Sequence, residues 1–366
     1  NKKSVVLDLK EEADKDAFRS LAASADIIVE NFRPGVMERL GLGYETLAAQ
    51  NPALVYGAIR GFGDPRSGES PYASWPSYDV VAQAMGGLMD ITGPNADTPT
   101  KVGPGVGDIF SGLMMSFGII AALRQAEATG VGQFVDVAMY DAIISLCERS
   151  TYLQDFSGTA PKAEGNGHPF LAPFGLFPAS DGNVALGIVD DAFWNVLAGV
   201  IGTPDLAKDT RFTTRAARAE NAAVLNTLVG DWTQTLSKAQ LAEKLGGAVP
   251  FGPMNTAADI RLDPHVAKRD MMVDLPHGEP DKDPWVVAGN PLKFSQATPP
   301  VLKTPPRLGE HTEHYLSEMP NLPTSDGDKR ALRNVFGSFA TGVTIVTTRQ
   351  EDGTPRGFTA NSFTSV

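Results

Sequence analysis

The residues with the clearest chemical potential lie between Val102 and Gly112, where three glycines and a proline precede Asp108. An apolar run from Leu113 to Leu123 follows at once, so Asp108 is expected at or near the start of a helix. Two interpretations stay open on the residues alone. Asp is a preferred helix N-cap, and a carboxylate at a helix N-terminus also stays ionised and can act as a nucleophile in a roomy glycine loop.

A second polar group follows the strand-like segment Asp26 to Val29. It consists of Glu30-Asn31-Phe32-Arg33-Pro34-Gly35, with Arg39 shortly after. The carboxyl end of a strand is where open α/β sheets bind ligands. Taken by themselves, Arg33 and Arg39 are typical of solvated charges at a helix end.

Other polar residues have ordinary structural explanations. Cys147 is the only cysteine, which excludes an internal disulfide and a metal-thiolate cluster and predicts a buried, inert thiol in a reducing compartment. Asp136 and Asp141 are typical of capping or solvated positions. Four cations could meet a substrate carboxylate but are more often surface charges: Arg60, Arg66, Lys101 and His168.

The elements that must position these residues alternate between strand and helix. Strands are predicted at Val5–Leu9, Asp26–Val29, Leu54–Ile59 and Phe134–Ala138, and helices at Glu11–Ala23, Tyr44–Gln50, Asp108 to about Glu127, and Tyr140–Leu153. Such alternation favours an α/β fold with a Rossmann-like parallel sheet in a large domain.

The second half has a different pattern. A loop rich in Gly, Pro and Ala from Thr159 to Pro173 leads into two short strands between Gly175 and Ile188. Helices are predicted at Asp191–Val200, Glu220–Leu236 and Lys238–Leu245, which together make a smaller α+β domain. We predict a large domain over 1–155, the small domain over 156–300, a return segment and linker over 301–326, and a separate segment over 327–366.

Composition limits the partners. The chain has 31 Lys and Arg against 43 Asp and Glu, a net charge of −12, which argues against nucleic acid or an anionic membrane as a partner. Leu113–Leu123 is too short to span a bilayer. We expect a cytoplasmic protein without a metal. Because residue 1 is Asn and the chain stops within a strand-like pattern, we also expect a fragment cut at both ends.

The segment from Asn31 to Ala142 resembles the class III CoA-transferase family, the CaiB/BaiF group that includes formyl-CoA transferase. The resemblance implies that Asp108, in G-D-x-x-x-G, is the catalytic aspartate. It also implies coenzyme A contacts from Asn31, Phe32, Arg33, Arg39, Ser77 and Tyr78. The loop Gly165-Asn166-Gly167-His168 corresponds to one that closes over the reaction centre, although Asn166 and His168 depart from its usual residues.

The resemblance implies an acyl-CoA:carboxylate CoA-transferase that works through an aspartyl anhydride and an aspartyl-CoA thioester. Its substrates would be an acyl-CoA and a small carboxylic acid. Such chemistry needs donors at the developing oxyanions, and our candidates are the backbone N–H groups of Gly107 and of Gly165 to Gly167. It further implies an interlocked homodimer, here without the family's first strand. The alternative is an acyl-CoA racemase, but related racemases carry a histidine where this chain has Tyr78, which is a poor base at neutral pH.

The last forty residues resemble a different family. The patterns F-A-T-G-V-T-x-V-T-T and G-F-T-A-N-S are similar to the opening of a flavin reductase-type, FMN-binding split barrel. The resemblance implies that Thr359, Ala360, Asn361 and Ser362 lie beside the flavin. Only the opening of such a barrel is present, so we expect FMN only in a complete parent protein, and a flavin-dependent oxidoreductase or an inactive fusion remain further hypotheses.

Overall fold

The structure, a computed structural model, describes residues 2–279, 281–297 and 302–318, with backbone pairing at 348–349 and 355–356. The first region contains a three-stranded parallel sheet in the order β1-β2-β3. Its elements in chain order are α1 Glu12–Ser24, β1 Ile27–Glu30, α2 Val36–Arg39, α3 Tyr44–Gln50, β2 Val55–Arg60, a 3₁₀ turn Pro65–Ser67, α4 Asp79–Met85, α5 Val106–Thr129, β3 Phe134–Ala138, α6 Met139–Leu146 and α7 Glu148–Ser157.

The parallel α/β architecture predicted from the alternation of strands and helices is confirmed. Register pairs Ile27 with Val55 and Arg60 with Ala138, so the carboxyl ends of the strands share one edge. One face of α5 packs on this sheet through Met115 and Ile119, which lie in a buried cluster with Val55.

The helix α5 is longer than the apolar run in the sequence. By length and composition it is the one helix among the described residues that could cross a membrane. The core helix of a globular domain meets the same criteria of length and composition, and α5 packs on the sheet as such a helix does. Its opposite face stays exposed, with Leu113, Phe117 and Ile120 each at least half accessible.

The second region has its own core, around Trp194, Phe212 and Leu225, which are fully buried. Strand β5 lies between β4 and β6 in an antiparallel sheet, and β7 pairs with β8. The elements are β4 Phe174–Ala179, β5 Gly182–Gly187, α8 Asp191–Ile201, a 3₁₀ turn Pro204–Lys208, α9 Arg215–Glu220, α10 Ala222–Thr233, α11 Lys238–Leu245, β6 Phe251–Pro253, α12 Ala257–Leu262, α13 Pro264–Lys268, β7 Met272–Leu275 and β8 Trp285–Ala288.

The chain then returns to the first region. Helix α14, Thr312–Glu318, follows a turn whose side chains bond to the N-terminal segment. Ser4 N–H donates to His311 Nδ1 at 3.2 Å, and Val6 N–H donates to Thr312 Oγ1 at 2.9 Å. The prediction of a strand at Val5–Leu9 is wrong: this extended segment bonds to the returning chain and joins no sheet.

Two predicted helices are each divided. The Tyr140–Leu153 prediction covers α6 and α7, which meet at Cys147, where φ is −96° and ψ is 22°. The Glu220–Leu236 prediction covers α10 and touches α9, with a break at Asn221. There the side-chain amide donates to Ala217 O at 2.9 Å and competes with the helical backbone pattern.

The C-terminal prediction is largely outside the described residues. Strands β9 Thr348–Arg349 and β10 Pro355–Arg356 pair antiparallel. The flavin-contact residues Thr359, Ala360, Asn361 and Ser362 lie outside the described part of the chain, and a split barrel is not supported.

Candidate active site

Asp108 is the third residue of α5. Gly105 occupies the N-cap position and makes no side-chain cap, so the interpretation of Asp108 as the N-cap is wrong. The side chain is half-buried at the first turn of the helix. The positive end of the helix therefore faces a carboxylate that is only partly exposed to water.

A second carboxylate, Asp79, joins α4 to the start of α5. Its Oδ1 accepts the Gly107 N–H at 2.7 Å, and its Oδ2 accepts from Gln83 Nε2 at 2.8 Å. Gln83 is fully buried, and its Oε1 accepts the Val102 N–H at 3.0 Å. These bonds fix both the glycine loop and the first turn of α5 against α4.

Asp79 and Gln83 were not among the predicted site residues. In the sequence, Asp79 directly follows Tyr78. Gln83 lies four residues after Asp79, which places both side chains on the same face of a helix. Nothing in that local spacing reveals the partners in 102–107. Only the packing of α4 against α5 identifies them.

The surroundings of Asp108 disfavour the ionised form of its carboxyl group. Burial raises the pKa of the Asp108 carboxyl, and the like charge of Asp79 raises it further. Lys101 partly offsets the charge of Asp79, with Nζ 4.0 Å from Asp79 Oδ2. A carboxylate held in this way is more basic than an exposed one, which suits a nucleophile that must attack a carbonyl.

Three of the four backbone donors proposed for an oxyanion already have acceptors within the protein. Gly107 N–H donates to Asp79, Gly165 N–H donates to Gly93 O at 2.9 Å, and Gly167 N–H donates to Glu164 O at 3.3 Å. An oxyanion could use these three groups only by displacing their present acceptors.

The segment proposed to contact coenzyme A follows β1. Asn31, Arg33 and Arg39 are exposed, while Phe32 is partly buried and donates its N–H to Glu30 Oε2 at 2.6 Å. Gly35 has φ 79°, and a Cβ there would lie 3.0 Å from Arg39 Nη1. The glycine thus lets the Arg39 guanidinium lie over the turn that precedes α2.

Tyr78 and Ser77 lie beside this edge of the sheet. Tyr78 is the N-cap residue of α4 and is 78% exposed. A Cβ on Gly61 would overlap the Cβ of Ser77, so a glycine directly after β2 permits their close approach. Asp79 directly follows Tyr78, and Asp108 directly follows Gly107. The hydrogen bond from the Gly107 N–H to Asp79 therefore links the segment of Tyr78 to that of Asp108.

The predicted surface position of Arg60 is wrong, whereas Arg66 is exposed as predicted. Arg60 is 4% exposed and pairs with Glu30 and Asp64, while Arg66 pairs with Asp64, Glu38 and Glu45. Neither guanidinium is available for a substrate carboxylate. Asp136 is not simply solvated, since its Oδ2 accepts the Asp64 N–H at 2.9 Å.

The loop before β4 lies against the segment that precedes the glycine loop. Ala163 N–H donates to Asp90 O at 3.1 Å, beside the Gly165 to Gly93 bond. Asn166 lines an open cavity of about 360 Å³ with Leu176, Phe251 and neighbouring backbone. The His168 ring contacts that of Phe174, and its Nδ1 accepts the Phe170 N–H at 3.1 Å.

Among the described residues, no group of three or more His, Cys, Asp or Glu side chains is placed to hold a metal ion. The predicted burial of Cys147 is confirmed, and burial raises the pKa of its thiol. Its environment is that of an unreactive core cysteine.

Comparison with known proteins identifies one family. A family model described as CoA-transferase family III matches residues 1–312. The chain is 43% identical to a succinyl-CoA:mesaconate CoA-transferase of Haloarcula hispanica, covering 87% of this chain and 79% of that one. It is 35% identical to a formyl-CoA:oxalate CoA-transferase of Streptomyces coelicolor, covering 91% and 83%. The crystal structure of a CaiB/BaiF family protein from Brucella suis is 36% identical, with a TM-score of 0.76 and coverage of 87% and 81%.

Proposed function

This chain belongs to CoA-transferase family III and is a CoA-transferase, and we propose that it uses Asp108 as a covalent nucleophile to move coenzyme A from an acyl-CoA to a free carboxylic acid. The observation that carries the proposal is the half-buried Asp108 on the first turn of α5, beside Asp79. The named transferase relatives favour this function over racemisation, and Tyr78 supplies no histidine base.

The proposed reaction needs two exchanges. Asp108 attacks the thioester carbonyl and expels the thiolate of coenzyme A, which leaves a mixed anhydride on the enzyme. The thiolate then attacks the carbonyl carbon of Asp108, releases the first acid and forms an aspartyl-CoA thioester. The acceptor acid runs the same two steps in reverse, and Asp108 is regenerated without an external oxidant, reductant or metal.

The acceptor is proposed to be a small dicarboxylic acid. The names of two relatives include mesaconate and oxalate, and both are dicarboxylates. Because Arg60 and Arg66 are engaged by carboxylates of the protein, Lys101 and His168 remain the candidates to meet the second carboxylate. Lys101 is the better placed of these two, since it borders the glycine loop and approaches Asp79.

The function is tested by trapping the enzyme intermediate. We expect protein incubated with succinyl-CoA and then treated with hydroxylamine to carry a hydroxamate on Asp108, detected by peptide mass spectrometry. Mesaconate or oxalate added before the trap should yield the corresponding new thioester. A folded protein that forms no new thioester, and no adduct at Asp108, across a panel of acyl-CoAs would contradict the proposal.

The pH dependence tests the role of Asp79. Only ionised Asp108 attacks, so kcat/KM should fall as the pH drops through its raised pKa. Asp79→Asn removes the like charge and keeps an oxygen to accept the Gly107 N–H, so the pKa of Asp108 should fall. We therefore expect the acid limb of the kcat/KM profile to move to lower pH, measured over a pH series.

The control for this change is Asp97→Asn, which removes an exposed charge from the loop between α4 and α5. Its profile should superimpose on that of the unmodified protein. An acid limb that stays in place or moves to higher pH in Asp79→Asn would mean that Asp79 does not raise the pKa of Asp108.

The proposed enzyme is a homodimer. Support comes from α5, where Ile109, Leu113, Phe117 and Ile120 are exposed at 42%, 50%, 65% and 66% on the face away from the sheet. A contiguous apolar face of this kind is typical of a protein–protein interface. A second copy of the same chain would cover it in the proposed assembly.

Phe117→Glu tests the dimer. The side chain is exposed in the single chain, so we expect the variant to fold but its molar mass to shift towards 38.8 kDa, measured by light scattering after size exclusion. Leu262→Glu is the matched control, because Leu262 is 85% exposed on α12 and away from α5. Equal molar masses for both variants and the parent would argue against an interface on α5.

A further inference from the structure

Two opposite charges are buried together where the first two strands of the parallel sheet end. Glu30 is the last residue of β1 and Arg60 the last residue of β2, and they are 5% and 4% exposed. Arg60 Nη2 donates to Glu30 Oε1 at 2.8 Å. Replacing such a pair by apolar residues is often neutral for stability, so the pair calls for another explanation.

The pair continues into a longer series of ion pairs that reaches the surface, which we call the ion-pair chain. Arg60 also contacts Asp64, and Asp64 Oδ1 lies 3.0 Å from Arg66 Nη1. Arg66 then reaches Glu45 of α3 at 2.7 Å and Glu38 of α2 at 3.0 Å. The chain therefore ties the loop after β2 to the two helices that follow β1.

The other end of this chain bonds the backbone of the segment after β1. Glu30 has two carboxylate oxygens with separate partners: Oε1 binds Arg60, and Oε2 accepts the Phe32 N–H at 2.6 Å. A short hydrogen bond to a carboxylate is stronger than one between neutral groups. Arg60 fixes the Glu30 side chain, and Glu30 in turn fixes the conformation at Phe32.

We propose that Glu30 and Arg60 are positioning residues for coenzyme A, which hold the segment from Asn31 to Gly35 in the conformation that receives it. The inference rests on the proposed function and on the coenzyme A contacts that the family resemblance implies for Phe32 and its neighbours. Glu30 and Arg60 are buried and touch no substrate themselves. They act through the Phe32 backbone and lower the conformational cost of binding.

The test is Glu30→Gln, which keeps the shape but removes the charge that binds Arg60 and Phe32 together. We expect the Kd of coenzyme A, measured by calorimetry, and the KM of succinyl-CoA to rise about tenfold. The kcat should stay within about twofold, and the KM of the acceptor acid should not change. Hydrogen exchange should show a slow Phe32 amide in the unmodified protein and a faster one in the variant.

The control is Glu12→Gln, which removes the same charge from an exposed pair with Arg19, at 2.7 Å on α1. It should leave Kd, KM and kcat unchanged. Arg60→Lys is the second variant. It keeps the positive charge, so it should raise the KM of succinyl-CoA less than Glu30→Gln does. If Glu30→Gln does not fold, Arg60→Lys is measured in its place.

The outcomes separate this inference from the proposed function. Unmodified protein that does not bind coenzyme A overturns both. Unmodified protein that binds, together with folded variants of unchanged Kd and KM, overturns only the positioning role. A fall in active protein or kcat without a rise in KM would identify the ion-pair chain as purely structural. A Phe32 amide that exchanges fast in the unmodified protein would contradict the positioning role.

Discussion

Asp108→Asn is expected to lose roughly 10³-fold or more in kcat for CoA transfer, because an amide cannot form the anhydride or the thioester that the proposed reaction needs. The substitution keeps the size of the side chain and one oxygen at the first turn of α5. The measurement is the steady-state rate of thioester exchange between succinyl-CoA and mesaconate, with binding of coenzyme A recorded on the same samples. Coenzyme A affinity should change little.

The stability of Asp108→Asn should not explain the loss. Because the pKa of Asp108 is raised in the folded state, its contribution to stability is fullest at low pH and falls as pH rises from the unfolded pKa through the folded pKa. At neutral pH the ionised carboxylate thus reduces the free energy of unfolding. Removing its charge removes this destabilising contribution.

Asp141→Asn is the matched control. Asp141 is also the third residue of its helix, α6, and is exposed. Both substitutions lose a similar interaction with the helix dipole, worth about 0.3–1 kcal/mol. We expect Asp141→Asn to retain full activity and Asp108→Asn to be at least as stable as it. If Asp108→Asn kept near-normal turnover, Asp108 would not be the nucleophile.

Gly107→Ala is expected to lower kcat by about 10²-fold through geometry alone, since a misplacement of the reacting group by about 1 Å can cost that much. A Cβ at this position would lie 3.1 Å from Asp79 Oδ1, 3.2 Å from Asp79 O and 3.2 Å from Ala82 Cβ. These neighbours are part of α4 and have little room to move. The first turn of α5, with Asp108, must shift instead.

Gly103→Ala provides the comparison for that variant. It lies in the same glycine loop, but an added Cβ there would meet nothing within 4 Å. Alanine is favoured over glycine within a helix by about 1 kcal/mol, so the melting temperature of Gly107→Ala should fall little. Equal kcat values for the two variants would show that the Asp79 contact does not set the position of Asp108.

Local sequence determined the elements and the location of the chemistry. The apolar run after a glycine loop predicted the start of α5 near Asp108, and the predicted strands at 26–29, 54–59 and 134–138 match β1, β2 and β3 within one residue. These features depend on neighbours a few positions apart. The motifs around Asp108 and Asn31 were sufficient to indicate the transferase family, which the comparisons confirm.

Only the tertiary structure decided how charges are paired. The Gly107 N–H, a free donor by its sequence, is bound to Asp79, which is 28 positions away. Arg60, a surface charge by its type, is buried against Glu30, which is 30 positions away. The strand Val5–Leu9 failed for the same reason, because the Val6 N–H donates to the side chain of Thr312, 306 positions along the chain, and the Asp8 N–H donates to the side chain of Asp14. Periodicity and propensity report which face of an element is apolar, whereas the partner of a buried polar group depends on which elements fold against each other.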